Sequence, residues 1–159
     1  MVIIFSGCKN PFAPKLDFSS DNPSQGLSDL TTIDGIFQSF QFAYSFRDTS
    51  IYGKLVGNDF IFTFRDFEKG FDVSWGRDDE MKTTNGLFTN SQRLDLIWNN
   101  IVLSNVDSLS ATIVRGFNLT VTFNPTDVVR IDGRVNLSFI RDESTKNWKM
   151  IKWLDESSL

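Results

Sequence analysis

The second half of the chain contains four long segments in which apolar and polar residues alternate, and this pattern limits the fold more than any other feature. The segments cover roughly 92–103, 110–123, 128–141 and 147–155. In the second segment, apolar side chains share one face at Ile113, Phe117, Leu119, Val121 and Phe123. A two-residue period is typical of strands that are buried on one face. The sequence therefore predicts a large sheet.

Turn sequences between these segments predict how the strands are joined. Residues 124–127 (Asn-Pro-Thr-Asp) and 142–145 (Asp-Glu-Ser-Thr) favour tight turns, which connect antiparallel neighbours. Gly133 interrupts a β-rich run and predicts a bulge that bends the sheet. The last segment is apolar on both faces, at Trp148, Met150, Ile151 and Trp153, which predicts a central strand.

In the first half of the chain, the spacing of apolar residues is typical of α-helices. Apolar residues recur every three or four positions at Leu27, Leu30, Ile33, Phe37, Phe40 and Tyr44. This spacing predicts a long amphipathic helix that begins at Pro23, with Asn22 as its N-cap. A second helix is predicted over 49–56, where Asp48 is the N-cap and Gly57 ends the helix.

A strand and a third helix are predicted next. Phe60, Phe62 and Phe64 alternate with less apolar residues, as in a strand, and 68–70 (Glu-Lys-Gly) favours a turn. A helix is predicted over 77–88, because acidic residues occupy its first turn and Met81, Thr84 and Phe88 share a face.

This order of elements predicts an α+β fold in which N-terminal helices pack in the concave face of a curved antiparallel sheet. The chain has 159 residues, the size of one domain with a substantial core. We assign residues 23–159 to that single domain.

Composition and charge exclude several classes of protein. Hydrophobic residues make up 40% of the chain, including sixteen Phe and four Trp, which excludes a disordered chain. The 23% of charged residues excludes a polytopic membrane protein. The net charge is −4 and no Lys/Arg cluster occurs, so nucleic acid is not an expected partner.

The residue types of common active sites are missing from the sequence. The chain has one cysteine and no histidine, which leaves no internal disulfide, no Cys/His zinc site and no His-based triad. No phosphate-binding loop, dinucleotide-binding turn, nucleophile elbow or calcium loop occurs. We therefore expect no metal site and no cofactor.

The first eight residues resemble the end of a bacterial lipoprotein signal peptide. An apolar run is followed by the small residues Ser6 and Gly7 and then by Cys8. The resemblance implies that residues 1–7 are the remnant of a signal peptide, that cleavage occurs before Cys8, and that the Cys8 sulfur is acylated. The alternative is that residues 1–5 form a first strand and that Cys8 is a buried thiol.

The sequence after Cys8 favours the lipoprotein interpretation. Residues 8–22 include Pro11, Pro14, Ser19 and Ser20 and have the composition of a flexible tether. Several acyl chains on one cysteine anchor a protein firmly in a bilayer. The expected partner of Cys8 is therefore a membrane, and the expected location is the bacterial cell envelope, facing the periplasm or the cell surface.

Three stretches of the domain are similar to the nuclear transport factor 2-like superfamily, which includes SnoaL-like proteins and has a cone-shaped, cystatin-like fold. They are 43–52 (Ala-Tyr-Ser-Phe-Arg-Asp through Tyr), 75–80 (Trp-Gly-Arg-Asp-Asp-Glu) and 148–155 (Trp-Lys-Met-Ile-Lys-Trp-Leu-Asp). The last stretch resembles the end of uncharacterised lipoproteins of this superfamily. The resemblance covers about residues 23–156 and implies helices lying inside a curved sheet.

Enzymes of this superfamily place a carboxylate or a histidine inside the cone for acid or base chemistry. The candidate carboxylates are Asp59, Asp66, Asp72, Asp95 and Asp155. None of them lies in a motif that matches a catalytic member, so no catalytic residue is assigned.

A ligand held in such a cone would contact side chains from the helices and from inward-facing strand positions. The residues predicted to line that site are Tyr44, Tyr52, Phe60, Trp75, Trp98 and Arg115. Arg115 is notable because it interrupts the apolar face of its strand, where a charge must be paired or must reach solvent. The alternative for the tryptophans is that they fill the core.

These sequence features are compatible with three functions. The first is a non-catalytic envelope lipoprotein whose cone binds a small apolar ligand or whose surface binds an envelope protein. The second is a carboxylate-dependent enzyme of isomerase, dehydratase or cyclase type. The third is a homodimerising structural module, which an exposed apolar sheet face would favour.

Overall fold

A computed structural model describes residues 27–156, which fold into three helices and six strands. In chain order these are α1 (Ile33–Phe46), α2 (Thr49–Leu55), β1 (Val56–Asp66), β2 (Phe71–Gly76), α3 (Arg77–Asn90), β3 (Arg93–Val106), β4 (Ser110–Asn124), β5 (Asp127–Arg141) and β6 (Trp148–Asp155). The α+β fold class predicted from the sequence is confirmed, with helices against a curved, mostly antiparallel sheet. Cys8 and the rest of the predicted anchor and tether lie outside the described residues.

The six strands form one sheet in the order β2-β1-β6-β5-β4-β3. The predicted antiparallel meander is confirmed for β3 to β6. The exception to the antiparallel prediction is the pair β1 and β6, which run parallel. This pairing places β6 inside the sheet, as its apolar sequence predicts, and joins the meander to the β1–β2 hairpin.

The irregular positions of the sheet differ from the predicted bulge at Gly133. Gly133 pairs regularly with Phe117, so the prediction of a bulge there is wrong. The register of β3 against β4 shifts instead between Trp98 and Leu103. Gly116 of β4 lies beside this irregularity, where a Cβ atom would be 3.2 Å from the Cβ of Asn99. A side chain at position 116 would therefore crowd Asn99 on the neighbouring strand.

Helix α1 begins at Ile33, ten residues after the predicted start at Pro23. Thr32 is its N-cap, and the Thr32 hydroxyl accepts a hydrogen bond from the Gly35 amide at 3.0 Å. Residues 27–32 form a turn and an extended segment, in which the Asp29 carboxylate accepts bonds from both the amide and the hydroxyl of Thr31. A Cβ atom at position 35 would lie 1.9 Å from the Asp29 carbonyl oxygen, so only glycine fits there.

The two shorter helices lie close to their predicted positions. Asp48 caps α2 as predicted, because its carboxylate accepts the Ile51 amide at 3.0 Å. Gly57 does not end this helix, since the chain passes directly from Leu55 into β1. The buried face of α3 is made by Glu80, Thr84 and Phe88, whereas the predicted face included Met81, which is half-buried.

The helices cover one side of the sheet, which we call the inner face; the opposite side is the outer face. Phe37 of α1 packs edge-on against Trp98 of β3, with 4.9 Å between ring centroids. Trp148 of β6 is 1% exposed and is the largest fully buried side chain described. In residues 27–156, no helix has the length and apolar character needed to cross a membrane.

Candidate functional site

A cavity of about 540 Å³ remains between the helices and the inner face of the sheet. This volume is typical of sites for small organic ligands. The wall is mainly apolar, and its lining residues are Phe40, Tyr44, Phe62, Trp75, Glu80, Thr83, Thr84, Leu87, Leu96, Trp98, Phe117, Leu119, Ile131, Val135, Trp153 and Asp155. We refer to this space as the cone cavity.

Aromatic side chains keep the cone cavity open because they pack against one another along its wall. Trp75 stacks on Phe62 with 4.4 Å between ring centroids, and Trp153 packs edge-on against Phe62 at 5.3 Å. The Trp98 indole N–H donates to the Phe37 carbonyl oxygen at 3.0 Å, which fixes that ring to α1. Rings held in this way cannot move inward to fill the space without losing these contacts.

Glu80 of α3 places a buried carboxylate in the wall of the cone cavity. Its side chain is surrounded by three donors from different parts of the chain. The Tyr52 hydroxyl donates to Oε1 at 2.6 Å, and the Trp75 indole N–H donates to Oε2 at 2.8 Å. The Thr84 hydroxyl, one turn later on the same helix, donates to Oε1 at 3.1 Å. These bonds hold the carboxylate in a single orientation.

A second carboxylate reaches the cone cavity from the end of β6. Asp155 pairs with Val135 of β5 and Phe64 of β1, so its side chain projects from the inner face. Burial raises the pKa of the Tyr44 phenol, and the nearby charges of Glu80 and Asp155 raise it further. The Glu80 and Asp155 carboxylates both line the cone cavity.

The structure brings together only some of the residues that were predicted to line a ligand site. Tyr44, Trp75 and Trp98 do lie in the wall of the cone cavity. Tyr52 and Phe60 are fully buried behind the wall, and Tyr52 reaches the site through its bond to Glu80. Burial raises the pKa of Tyr52 strongly, and the charge of Glu80 contributes. Tyr52 is therefore a protonated donor at neutral pH.

Arg115 projects from the inner face, as predicted, but lies apart from the cone cavity. Its guanidinium carbon is 4.7 Å from the centroid of the Phe37 ring, and its Nε donates to the Asn99 carbonyl oxygen at 2.8 Å. It lines a smaller polar cavity of about 220 Å³ together with Asp34, Gln38 and Gln41 of α1. Trp98 contributes to the walls of both cavities.

The five carboxylates considered from the sequence lie in different environments. Asp59 is exposed, and three others are bound by neighbouring cations: Asp66 by Lys69, Asp72 by Arg65 and Asp95 by Arg93. Asp155 is the one member of this set that lines the cone cavity.

Glu80 was not predicted from the sequence, because three successive acidic residues at the start of α3 resemble an ordinary helix N-terminus. The signal that could have found it is the spacing of Glu80, Thr84 and Phe88, which places all three on one face. In residues 27–156, no group of three or more acidic, histidine or cysteine side chains could hold a metal ion.

Comparison with known proteins finds solved structures with a similar fold, but it finds no match by sequence. No family model and no curated protein matches the chain. A conserved protein from Planctomyces limnophilus superposes with a TM-score of 0.69 at 12% identity, over 79% of this chain and 93% of the other.

Two further structures have names that refer to activity. A protein of Novosphingobium aromaticivorans, assigned as a scytalone dehydratase, has a TM-score of 0.68 at 14% identity, over 80% of this chain and 82% of its own. A protein of Streptomyces avermitilis, assigned as a dehydratase of the nuclear transport factor 2-like family, has a TM-score of 0.64 at 14% identity, over 82% and 97% of the two chains. The domain therefore has the fold of the nuclear transport factor 2-like superfamily.

Proposed function

We propose that this chain is a binding protein whose cone cavity holds a small, mostly apolar molecule. The observation that carries the proposal is the cavity of about 540 Å³ with aromatic and aliphatic walls and a few polar groups at one end. Ligand sites combine an apolar wall with a small number of polar groups that orient the ligand. Sixteen Phe would be enough to fill a small core, yet this space remains open.

A small-molecule screen tests the proposal by two readouts on the full chain. A compound that binds the folded state should stabilise it by about 2.7 kcal/mol at a hundredfold excess over its dissociation constant, measured as a thermal shift. Three tryptophans, Trp75, Trp98 and Trp153, line the cavity, so the same compounds should change the intrinsic fluorescence.

A matched pair of variants decides whether such compounds occupy the cone cavity. Ile131 lines the cavity on β5, and Ile131→Trp should fill it and abolish binding. Asp132 is exposed on the outer face of the same strand, so Asp132→Trp adds the same ring outside the cavity and should leave binding unchanged. Binding that survives Ile131→Trp, or a screen without hits, would contradict the proposal.

We further propose that Cys8 is acylated and holds the domain at a membrane of the bacterial cell envelope. The support is the sequence Ser6-Gly7-Cys8 followed by the Pro/Ser-rich residues 9–22. In the native host, the protein should fractionate with membranes, and Cys8→Ser should release it. Intact-mass analysis should show the acyl groups, and an unmodified Cys8 in host protein would rule the anchor out.

A second candidate function is a carboxylate-dependent isomerase, dehydratase or cyclase. It is favoured by the buried Glu80 carboxylate and by Asp155 at the cavity wall, since a carboxylate in an apolar site can act as a general base. Two of the structures with this fold are also assigned as dehydratases. Incubating each bound compound with the protein and measuring its mass and isomer composition tests turnover. Compounds recovered unchanged would support binding alone.

The homodimer remains a third candidate, supported by one part of the surface. The outer face carries mainly polar residues, such as Thr120 and Asp132, and does not form a broad apolar surface. Exposed apolar side chains are concentrated at the end of β3 and in the following turn, at Ile101, Val102, Leu103, Val106 and Leu109. Sedimentation analysis of the chain and of Leu103→Lys tests this candidate, because only association through this region would be lost in the variant.

A further inference from the structure

The two tyrosines of the chain, Tyr44 and Tyr52, lie side by side and differ in what their hydroxyls bind. Their ring centroids are 6.0 Å apart. The Tyr52 hydroxyl donates to Oε1 of Glu80. The Tyr44 hydroxyl has no hydrogen-bond partner in residues 27–156, and no hydrogen bond contributes to the raised pKa of its phenol. Buried tyrosine hydroxyls usually have a partner, so the Tyr44 hydroxyl requires an explanation.

The Tyr44 hydroxyl opens onto the cone cavity. Tyr44 as a whole is 6% exposed and lines that cavity. Within the described part of the chain, the buried polar side-chain atoms without a partner are Ser91 Oγ, Arg141 Nε and Trp153 Nε1, and Tyr44 Oη is not one of them. Because this oxygen is neither hydrogen-bonded nor enclosed by packed atoms, it borders open space, and the cone cavity is the space that Tyr44 lines.

Three aromatic contacts fix the Tyr44 ring in this orientation. It stacks on Phe40 with 5.0 Å between ring centroids, and it meets the rings of Phe88 and Tyr52 edge-on at 5.2 Å and 6.0 Å. The ring cannot turn its hydroxyl toward a protein acceptor without losing these contacts. Phenylalanine at position 44 would keep the contacts and avoid a desolvated, unpaired hydroxyl. The packing therefore accounts for the ring but gives no reason for the hydroxyl.

We propose that the Tyr44 hydroxyl is the hydrogen-bond donor that recognises the ligand of the cone cavity, and that this ligand is an apolar molecule with an uncharged oxygen acceptor. This inference rests on the proposed binding function and specifies its ligand class. Burial raises the pKa of Tyr44, so the phenol is protonated at neutral pH and can donate. A carboxylate ligand is not expected, because the described lining has no Lys or Arg to offset the removal of its charge from water.

Two compounds of the same shape test the inference on the full chain at pH 7. They are 2-acetylnaphthalene, a ketone, and 2-isopropenylnaphthalene, an alkene in which a CH₂ group replaces the carbonyl oxygen. Tyr44→Phe should weaken the binding of the ketone about tenfold and leave the binding of the alkene unchanged, because only the ketone can accept from the phenol. A charged acceptor, 2-naphthoate, should not bind either chain measurably. Trp fluorescence titration measures the affinities.

A stability measurement separates recognition of a ligand from a structural role. Without ligand, Tyr44→Phe should leave the melting temperature unchanged or raise it, since the deleted hydroxyl has no partner in residues 27–156. Thr63→Val removes a hydroxyl outside the cavity and should change neither the ketone nor the alkene affinity. A melting temperature of Tyr44→Phe that falls by more than about 3 °C would show that the hydroxyl stabilises the fold, and it would overturn the inference.

The possible results distinguish this inference from the binding function. An equal effect of Tyr44→Phe on the ketone and the alkene, with both abolished by Ile131→Trp, would overturn the role of the hydroxyl and leave the cavity as a binding site. Measurable binding of 2-naphthoate would overturn the uncharged ligand class. Failure of both the ketone and the alkene to bind the unmodified chain would contradict the inference and the proposed function together.

Discussion

At the scale of single residues, the environment of Glu80 links the fold to the site. A carboxylate that is 4% exposed is costly unless its oxygens are hydrogen-bonded, and here three donors from α2, β2 and α3 satisfy it. Two of these bonds join α3 to other elements, to α2 through Tyr52 and to β2 through Trp75. The group therefore positions the cavity wall and also stabilises the domain.

Removing one donor tests that structural role. Tyr52→Phe deletes the 2.6 Å bond to Oε1 and keeps the ring, so a buried carboxylate loses one of its donors. We expect the free energy of unfolding to fall by about 1.5–3 kcal/mol, the range for hydrogen bonds to charged groups. Thr63→Val deletes an exposed hydroxyl–hydroxyl bond to Ser74 and should cost less than about 0.5 kcal/mol. Equal losses in urea unfolding would show that Tyr52 does not stabilise Glu80.

Asp142 in the β5–β6 turn predicts a pH dependence of stability. Hydrogen bonds from the hydroxyls and amides of Ser144 and Thr145 hold the pKa of the Asp142 carboxyl well below its usual range. Because the folded-state pKa is depressed, the stabilisation is complete above the unfolded pKa of about 4 and is lost as pH falls toward the folded value. Asp142→Asn should therefore lower the melting temperature at pH 7, and the difference should shrink below about pH 4.

Glu143→Gln is the matched control for this turn. It removes the same charge from the next residue, which accepts none of the hydrogen bonds that Asp142 accepts. The control should show no such dependence on pH between 4 and 7. A constant difference between Asp142→Asn and the unmodified chain down to pH 2 would contradict the assigned cause.

At the scale of elements, the sequence predicts strands better than it predicts how they pair. The alternation in β4 and the turns at 124–127 and 142–145 are local signals, and they locate β3 to β6 to within a few residues. The parallel pairing of β1 with β6 joins residues about ninety positions apart, and no local pattern reports it. The short strand β2 was not predicted, although its apolar residues Phe71, Val73 and Trp75 alternate with polar ones.

Helix α1 shows the opposite limitation, because its apolar period continues beyond the helix itself. Leu27 and Leu30 pack against the core from a non-helical segment, so their spacing extended the predicted helix toward Pro23. The Thr32 cap and the close contact at Gly35 determine where the helix itself begins. Asn22 and Thr32 are both residue types that cap helices, so capping residues alone do not choose between these two starts.

Only part of the candidate site could be predicted from the sequence, because only part of it depends on local signals. Tyr44 and Trp98 face inward on elements that the sequence predicts, so their place in the wall follows from the fold, whereas Trp75 lies on β2, which was not predicted. The position of Arg115 depends on the irregular pairing near Trp98, and the role of Glu80 depends on contacts among three elements. The spacing of Glu80, Thr84 and Phe88 indicates a shared helix face, but the contacts of that face with other elements leave no pattern in a single sequence.

Two tryptophans of β6 test the packing of this strand. Trp148 is 1% exposed and lies under the Arg141 guanidinium, 4.4 Å from the ring centroid, so Trp148→Ala should cost about 3–5 kcal/mol. Trp153 is half-buried and borders the cone cavity, so Trp153→Ala should cost less, about 1–3 kcal/mol. Urea unfolding measures both, and a larger loss for Trp153 would mean that the cavity is closed in solution.

At the scale of the whole molecule, the cavity results from how the helices lie on the sheet. Helix α1 packs against β3, and α3 packs against β1, so the two helices lie near opposite ends of the inner face. The space between them is bordered by Tyr44 on one helix and by Glu80 on the other. Because the strands are continuous across this space, the opening does not interrupt the hydrogen bonds of the sheet.

The start of the folded domain can be located by shortening the chain. The Trp148 amide donates to the Leu30 carbonyl oxygen at 2.8 Å, and the Arg141 guanidinium donates to the Thr31 carbonyl oxygen at 3.1 Å. A chain that begins at Ile33 loses both bonds and the Thr32 cap, each worth about 1 kcal/mol. Its melting temperature should fall by roughly 5–10 °C.

A chain that begins at Phe18 keeps all of these contacts, and its melting temperature should stay within about 2 °C of the full chain, since the deleted residues have the composition of a tether. It should also bind the same compounds with the same affinity, because the lining residues of the cone cavity that the structure describes run from Phe40 to Asp155. A large loss of stability or of binding in this chain would assign residues 1–17 to the folded domain. That result would contradict the view of a cone that folds and binds independently of its anchor.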